Sequence, residues 1–219
     1  MKEEPEKESP KGNPVAPPFD EPQFELTGGE LCLDFANTVV SRATEKPKEH
    51  LNSYDDLLAW SVQNEVIRPA VAEGLREAAA KHGKKAAKTL RRARKLREAL
   101  FQVFSSAVGG SSPPADALHL LNKHLPRAFE RLRLSLAQNG YRWEWEENEA
   151  LDRMLWPVLR SAGELLTSDR LDRLRLCSAE DCDWLFLDQS KNRSRRWCDM
   201  NVCGNRSKVR RFREAKRKA

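Results

Sequence analysis

The sequence contains no apolar run close to the roughly 18 residues that a membrane-spanning helix needs. Its beginning, MKEEPEKESPKGNPVAPPFDEP, mixes acids, bases and prolines and has no apolar core of the kind that a signal peptide requires. We therefore expect a cytoplasmic protein that has no membrane partner.

The motifs of common enzyme classes are also missing. The chain has no glycine-rich phosphate loop, no nucleophile elbow and no pair of histidines at metal-ligand spacing. We therefore predict a protein that is not an enzyme. An enzyme with its active site in the N-terminal half is the less favoured alternative.

Charge is distributed unevenly along the chain. Residues 191–219 hold twelve Lys or Arg against two acids, which leaves 27 basic and 31 acidic groups in residues 1–190. The C-terminal end is thus +10 and the remainder is −4. A concentrated cationic end of this kind predicts binding to a polyanion.

The N-terminal end is rich in proline. Six of the twelve prolines lie within the first 22 residues, among lysines and glutamates. Such a stretch buries too little apolar surface to offset the entropy lost on ordering. Residues 1–21 are therefore predicted to form a disordered tail.

Hydrophobic periodicity and capping residues predict several helices beyond the tail. The run GGELCLDFANTVV suits either a helix or a buried strand, and Cys32 within it is expected to be a core residue. Ser53 and Asp56 resemble a helix cap. Further helices are predicted over 69–81, over 84–108 until two glycines stop it, from Ser112 and Pro113 onward, over 149–166, and from Ser168 to Leu174.

One segment changes period from helical to alternating. RLRLSL and YRWEWE alternate polar with apolar residues around the turn AQNG, which is typical of an antiparallel hairpin. The predicted inward face comprises Leu132, Leu134, Leu136, Tyr141, Trp143 and Trp145. The predicted fold class is mainly α with a β-hairpin (α+β). A helical N-terminal domain at 22–174 is followed by a small C-terminal zinc finger at 175–219, made of a hairpin and a basic helix.

Four of the five cysteines form two closely spaced pairs near the C-terminus. Four residues separate the members of each pair and fifteen separate the pairs, so each pair can deliver two thiolates to one metal. An all-sulfur tetrahedral shell favours Zn²⁺; two disulfides or an iron–sulfur centre are the alternatives. The predicted ligands are Cys177, Cys182, Cys198 and Cys203.

The segments around the cysteines are predicted to form a hairpin and a helix. Residues 184–187 and 194–197 resemble two paired strands, and a helix begins after the last cysteine with Asn205 as a candidate N-cap. At 100° per residue, Val209, Phe212 and Ala215 share a face that can pack on the hairpin.

The same helix carries an arginine stripe, which predicts contacts with the phosphates or the major groove of duplex DNA. Arg206, at the start of the helix, is expected to lie nearest the bases. An RNA-binding or protein-docking module is the alternative. The predicted nucleic-acid-binding residues are Arg195, Arg196, Asn205, Arg206, Lys208, Arg210, Arg211, Arg213 and Arg217.

Two segments resemble known families. CSAEDCDWLFLDQSKNRSRRWCDMNVCGNRSKVRRFREAK is similar to the CGNR zinc finger, whose name-giving motif stands at residues 203–206. GGELCLDFANTVVSR resembles the opening of the ABATE domain, which accompanies this finger in bacterial, stress-associated transcription regulators. The resemblance implies zinc ligation by the four paired cysteines, DNA binding by the finger and a role in transcription regulation.

Three polar residues stand among apolar neighbours in the second of these segments. Asp34, Asn37 and Thr38 are candidates for the lining of a pocket that binds a small-molecule effector. Because buried polar groups need partners, the favoured interpretation is that they hydrogen-bond to backbone at helix ends.

Overall fold

A computed structural model describes Phe19, residues 23–42 and residues 44–218. The predicted disordered tail lies outside these residues except for Phe19, which is buried with its ring 4.0 Å from the Arg76 guanidinium. The α-helices of the described residues are Leu31–Ala36 (α1), Tyr54–Gln63 (α2), Pro69–Lys81 (α3), Gly83–Val108 (α4), Ala115–Phe129 (α5), Leu155–Leu166 (α6) and Asn205–Lys218 (α7). The strands are Val39–Val40 (β1), Lys48–Glu49 (β2), Leu132–Ala137 (β3), Gly140–Trp145 (β4), Leu174–Leu176 (β5) and Leu185–Leu187 (β6).

The predicted fold class is confirmed: the chain is mainly helical, and its strands form three antiparallel pairs, β1–β2, β3–β4 and β5–β6. The core lies where α1 packs against α4 and α6. Phe35 of α1 meets Trp60 of α2 edge-on, with ring centroids 5.0 Å apart. Cys32 is fully buried as predicted. Burial raises the pKa of its thiol to about 12, so Cys32 is a packing residue rather than a nucleophile.

Local sequence sets several helix ends as predicted. The Ser53 side chain accepts from the Asp56 backbone N–H and the Asp56 carboxylate accepts from the Ser53 backbone, which completes a capping box at the start of α2. Pro69 occupies the first turn of α3, where its missing N–H costs nothing. Gly110, at φ 63°, redirects the chain after α4.

Two helices begin later than predicted. Helix α5 begins at Ala115 with Pro114 at its N-cap, because Pro114 forces the residue before it, Pro113, out of the helical region. Helix α6 begins at Leu155 rather than at residue 149. Its Pro157 is tolerated only within a first turn, so the helix cannot extend much further toward the N-terminus.

The predicted short helix after Ser168 is a 3₁₀ helix over Asp169–Arg173, and Leu174 belongs to β5 instead.

The hairpin β3–β4 is present as predicted, but it does not have the predicted burial. Leu134 lies opposite Trp143, and Leu136 lies opposite Tyr141. These four side chains are between 54% and 77% exposed, so the predicted inward face is wrong for the outer half of the hairpin. The base of the hairpin packs on the helices, where Trp145 meets Trp156 with ring centroids 6.1 Å apart. Further out, the Arg160 guanidinium of α6 lies 5.3 Å from the Trp143 ring.

The strand pairing near the cysteines also differs from the prediction. Strand β6 pairs with β5, which precedes the first cysteine, and residues 194–197 form no strand. The Asp188 carboxylate accepts from the backbone N–H groups of Ser190 and Arg195, which closes the chain into a loop after β6. Since the side chain satisfies these N–H groups, they are not available to a strand ladder.

Candidate metal centre and nucleic-acid interface

The four paired cysteines converge at one point, as predicted. Cys177 follows β5 and Cys182 precedes β6, whereas Cys198 precedes the π-helical turn Met200–Gly204 and Cys203 lies within it. The four Sγ atoms lie within 4.8 Å of one another and all four residues are buried. Two of the Sγ···Sγ distances, Cys182–Cys198 and Cys198–Cys203, are 3.7 and 3.6 Å. A tetrahedral ZnS₄ unit with bonds of about 2.3 Å has sulfur atoms about 3.8 Å apart, so the cluster fits zinc.

The four cysteines of the cluster are free thiols, and neighbouring Sγ atoms lie within hydrogen-bond distance of one another. Hydrogen bonds within the cluster lower the pKa of Cys177 and raise the pKa of Cys198. Four thiolates this close together would repel one another, so a cation is needed to balance their charge. A divalent metal supplies that charge, and four sulfur ligands leave no position for water.

The second cysteine pair is held by a capped π-helical turn. The Asp199 carboxylate accepts from the Val202 backbone N–H and is the N-cap, so the prediction of Asn205 as the cap is wrong. Asn205 lies inside the helix and donates to the carbonyl of Asn201. A Cβ added at Gly204 would lie 2.5 Å from Met200 Sδ, so the glycine allows the turn to close tightly.

The cysteine module, residues 174–218, is joined to the helical core by the opening segment, residues 28–42. The Asn37 carboxamide donates to the Leu185 carbonyl at 2.8 Å and accepts from the Leu185 N–H at 2.9 Å. Trp184 Nε1 donates to the Val39 carbonyl, and Ser41 Oγ donates to the Asp181 carbonyl. The module is therefore attached to the core by specific hydrogen bonds between side chains and backbone.

Strand β6 belongs to both halves of this junction. Leu185 and Leu187 are buried in the main hydrophobic core, whereas Phe186 and Trp184 pack with the cysteines. Successive side chains of a strand point to opposite faces, which lets three residues serve two cores. The salt bridge from Arg42 to Asp183, at 3.6 Å, adds an ionic contact beside it.

The three residues predicted as an effector pocket have partners inside the chain. Asp34 accepts from the Gly28 N–H at 2.8 Å, and Thr38 donates to the Phe35 carbonyl. Burial raises the pKa of Asp34 to about 6. Asp34, Asn37 and Thr38 also border one cavity of about 330 Å³. The same cavity is lined by Cys182, Cys203 and Arg206 of the cysteine module.

Helix α7 exists as predicted, but a different face of it meets the module. Arg206 pairs with Asp181 at 2.8 Å and lies 3.4 Å from Cys203 Sγ, and Arg210 pairs with Glu180 at 2.6 Å. The apolar face was predicted to pack on the hairpin, which is wrong: Val209 is 49% and Phe212 62% exposed. The acids of the first cysteine pair attract the cationic face instead.

The remaining predicted DNA contacts fall into two groups. Arg195 is held in place, because its guanidinium donates to the carbonyls of Trp197 and Cys198 and lies over Phe186. The others are exposed and make no salt bridge within the described part of the chain. They are Arg196, Lys208, Arg211, Arg213 and Arg217.

Three acids that position the site were not recognised from the sequence. Glu180, Asp181 and Asp183 all lie inside or next to the first cysteine pair and bind Arg210, Arg206 and Arg42. The sequence did contain a signal for these contacts. Acids that lie between two metal ligands, in a chain that ends in a cationic helix, indicate ion pairs between the acids and the helix.

Family models match almost all of the described chain. The model named ABATE, described as "putative stress-induced transcription regulator", matches residues 29–169. The CGNR zinc finger model matches residues 173–216. A comparison with curated proteins finds no match. Among the described residues, no helix is both long and apolar enough to cross a membrane.

Proposed function

The chain belongs to the ABATE family and carries a CGNR zinc finger, and from this we propose that it is a transcription regulator that binds duplex DNA through α7. In this proposal a zinc ion has a structural role: it is held by four cysteines, fixes the turn before α7 and takes no part in catalysis.

The observation that supports DNA binding most strongly is the exposure of α7. From Arg211 to Arg217 every residue is exposed, so this part of the helix stands away from the body. Only its beginning is anchored, at the acids of the first cysteine pair. A helix about 10–12 Å across fits the major groove, which is about 12 Å wide.

The ion pairs of α7 divide its cations by role. Arg206 and Arg210 are neutralised by acids and orient the helix on the metal centre. Arg213 and Arg217, further along, keep their charge available for phosphates. We therefore assign Arg206 a positioning role rather than the base contact that its place at the helix start first indicates.

The test measures affinity for a fluorescent duplex at several salt concentrations, using the zinc-loaded full chain. Arg213→Gln combined with Arg217→Gln should weaken binding and reduce the slope of log K against log salt by roughly two. Lys95→Gln combined with Lys123→Gln removes two exposed cations from other helices and is the matched control. Equal slopes for the two double variants would remove α7 from the interface. Tighter binding to RNA than to DNA would instead support the RNA-binding alternative.

Arg206→Ala separates positioning from contact. We expect it to release zinc faster to a chelator, because α7 loses its anchor at Asp181 and beside Cys203. Unchanged zinc release with a loss of affinity confined to a preferred duplex would instead identify Arg206 as a base-reading residue.

We also propose that the cavity of about 330 Å³ is where an effector acts on the finger. The cavity lies between the opening segment and the metal centre, so a ligand there contacts both. Val40→Trp would fill part of it and should change DNA affinity while the zinc content stays the same. Unaltered DNA binding would count against this coupling.

A further inference from the structure

A second cationic region lies in the helical domain, in addition to the C-terminal one. Residues 78–97 contain nine Lys or Arg and no Asp or Glu. Arg92, Arg94 and Arg97 stabilise the fold, because they bind Asp152, the Leu51 carbonyl and Glu49 respectively. The other Lys and Arg residues of the run make no such contact among the described residues, and their side chains are exposed.

Part of this run lines a cleft in the helical domain. The cleft has a volume of about 770 Å³ and lies between α3, α4 and the loop before α6. Lys81, Lys85 and Lys88 line it and form no salt bridge within the described residues. Val71 and Ala78, both half-buried, add apolar surface. Cavities that bind small molecules have this size and this mixture of apolar surface with a few polar groups.

The charges around the cleft do not balance. Glu77, Glu149 and Asp152 are its acids, against six Lys or Arg in its lining. Asp152 is compensated inside the protein by two arginines: its side chain is 10% exposed, it binds Arg92, and it lies 3.6 Å from Arg127. The lysines therefore leave an excess of positive charge in the cleft.

The start of α4 adds to this excess. Its N-cap, His82, makes no side-chain capping hydrogen bond, and its first turn carries lysines instead of acids. Cations at a helix N-terminus interact unfavourably with the helix dipole. An anion in the cleft would reduce the repulsion between the lysines and would interact favourably with the helix dipole.

We propose that this cleft binds a small molecule with two or more phosphate groups and a flat apolar part, of the nucleotide type. Lys81, Lys85 and Lys88 contact the phosphates, and Val71 and Ala78 lie against the apolar part. The cleft is concave, so it suits a compact ligand better than a duplex. This site is separate from α7, and its test does not depend on DNA binding by the finger.

The test is titration calorimetry of the zinc-loaded full chain with inorganic triphosphate and with adenosine triphosphate. We expect both probes to bind and the nucleotide to bind more tightly. Lys81→Gln, Lys85→Gln and Lys88→Gln together should reduce affinity by roughly tenfold or more, since each removes a charge-assisted contact. Arg91→Gln, Lys95→Gln and Lys123→Gln together are the matched control, because they remove three exposed cations that do not line the cleft.

Three outcomes would overturn the proposal. If neither inorganic triphosphate nor adenosine triphosphate binds, the cleft is not a phosphate-binding site. Equal losses in the two triple variants would show diffuse attraction to a basic helix. A cleft variant that loses duplex DNA affinity but keeps triphosphate affinity would make this surface a DNA contact. Triphosphate binding by Arg213→Gln/Arg217→Gln at wild-type strength would confirm that the cleft works independently of α7.

Discussion

Replacing Asn37 by alanine tests how the cysteine module is attached to the core. Asn37 is 3% exposed, and its carboxamide is the partner of both the N–H and the carbonyl of Leu185, which is fully buried. Alanine leaves these two backbone groups unsatisfied, at about 1–3 kcal/mol each. The expected loss in the free energy of unfolding is therefore about 2–6 kcal/mol. For a chain of this length each kcal/mol lowers Tm by about 2–4 °C.

The assay is urea unfolding of the zinc-loaded protein, followed by tryptophan fluorescence. Trp184, beside Leu185, donates to the opening segment and should report the same transition. Asn122→Ala, on an exposed face of α5, is the control and should change stability by less than about 0.5 kcal/mol. A loss below about 1 kcal/mol for Asn37→Ala would refute the reasoning and leave Asn37 free for a ligand.

Three further predictions concern the metal, the opening segment and the boundary between the two halves. Removing zinc with a chelator should reduce the helical circular dichroism signal, because metal binding stabilises the turn before α7; an unchanged spectrum in metal-free protein would contradict this. Burial raises the pKa of Asp34 from 3.8 to about 6, so the folded state holds this proton more tightly than the unfolded state does. The free energy of unfolding should therefore fall, by at most about 3 kcal/mol, as the pH rises from about 4 to 6. Asp34→Asn should flatten that part of the pH profile, and an identical profile would contradict the cause. Truncation just before Cys177 should destabilise the helical domain, because Leu185 and Leu187 leave its core; a truncated protein with unchanged Tm would show that the domain folds independently.

The sequence predicted the features that depend on neighbouring residues. The capping box at Ser53, the β3–β4 hairpin and the cysteine pairs all depend on spacings of a few residues, and all are present. The two wrong helix starts could also have been avoided from the sequence. Pro114 and Pro157 each exclude the longer helix that was predicted.

Features that depend on distant partners could not be predicted in the same way. Alternation in β3 and β4 indicates an apolar face, but not whether another element covers it, and Leu136 remains exposed. Strand β6 pairs with β5 because Leu187 fits the main core, a contact that no local pattern in the cysteine region shows. The face of α7 that docks was likewise decided by Glu180 and Asp181, across the metal centre.

The hydrogen bonds between Asn37 and Leu185 have a consequence for protein engineering. A chimera that exchanges only residues 173–216 for the finger of another family member would separate β6 from the backbone and side chains that receive it. The graft should succeed only when residues 28–42 are transferred with the finger. The modular unit of exchange is thus discontinuous in the chain, and its two pieces lie more than a hundred residues apart.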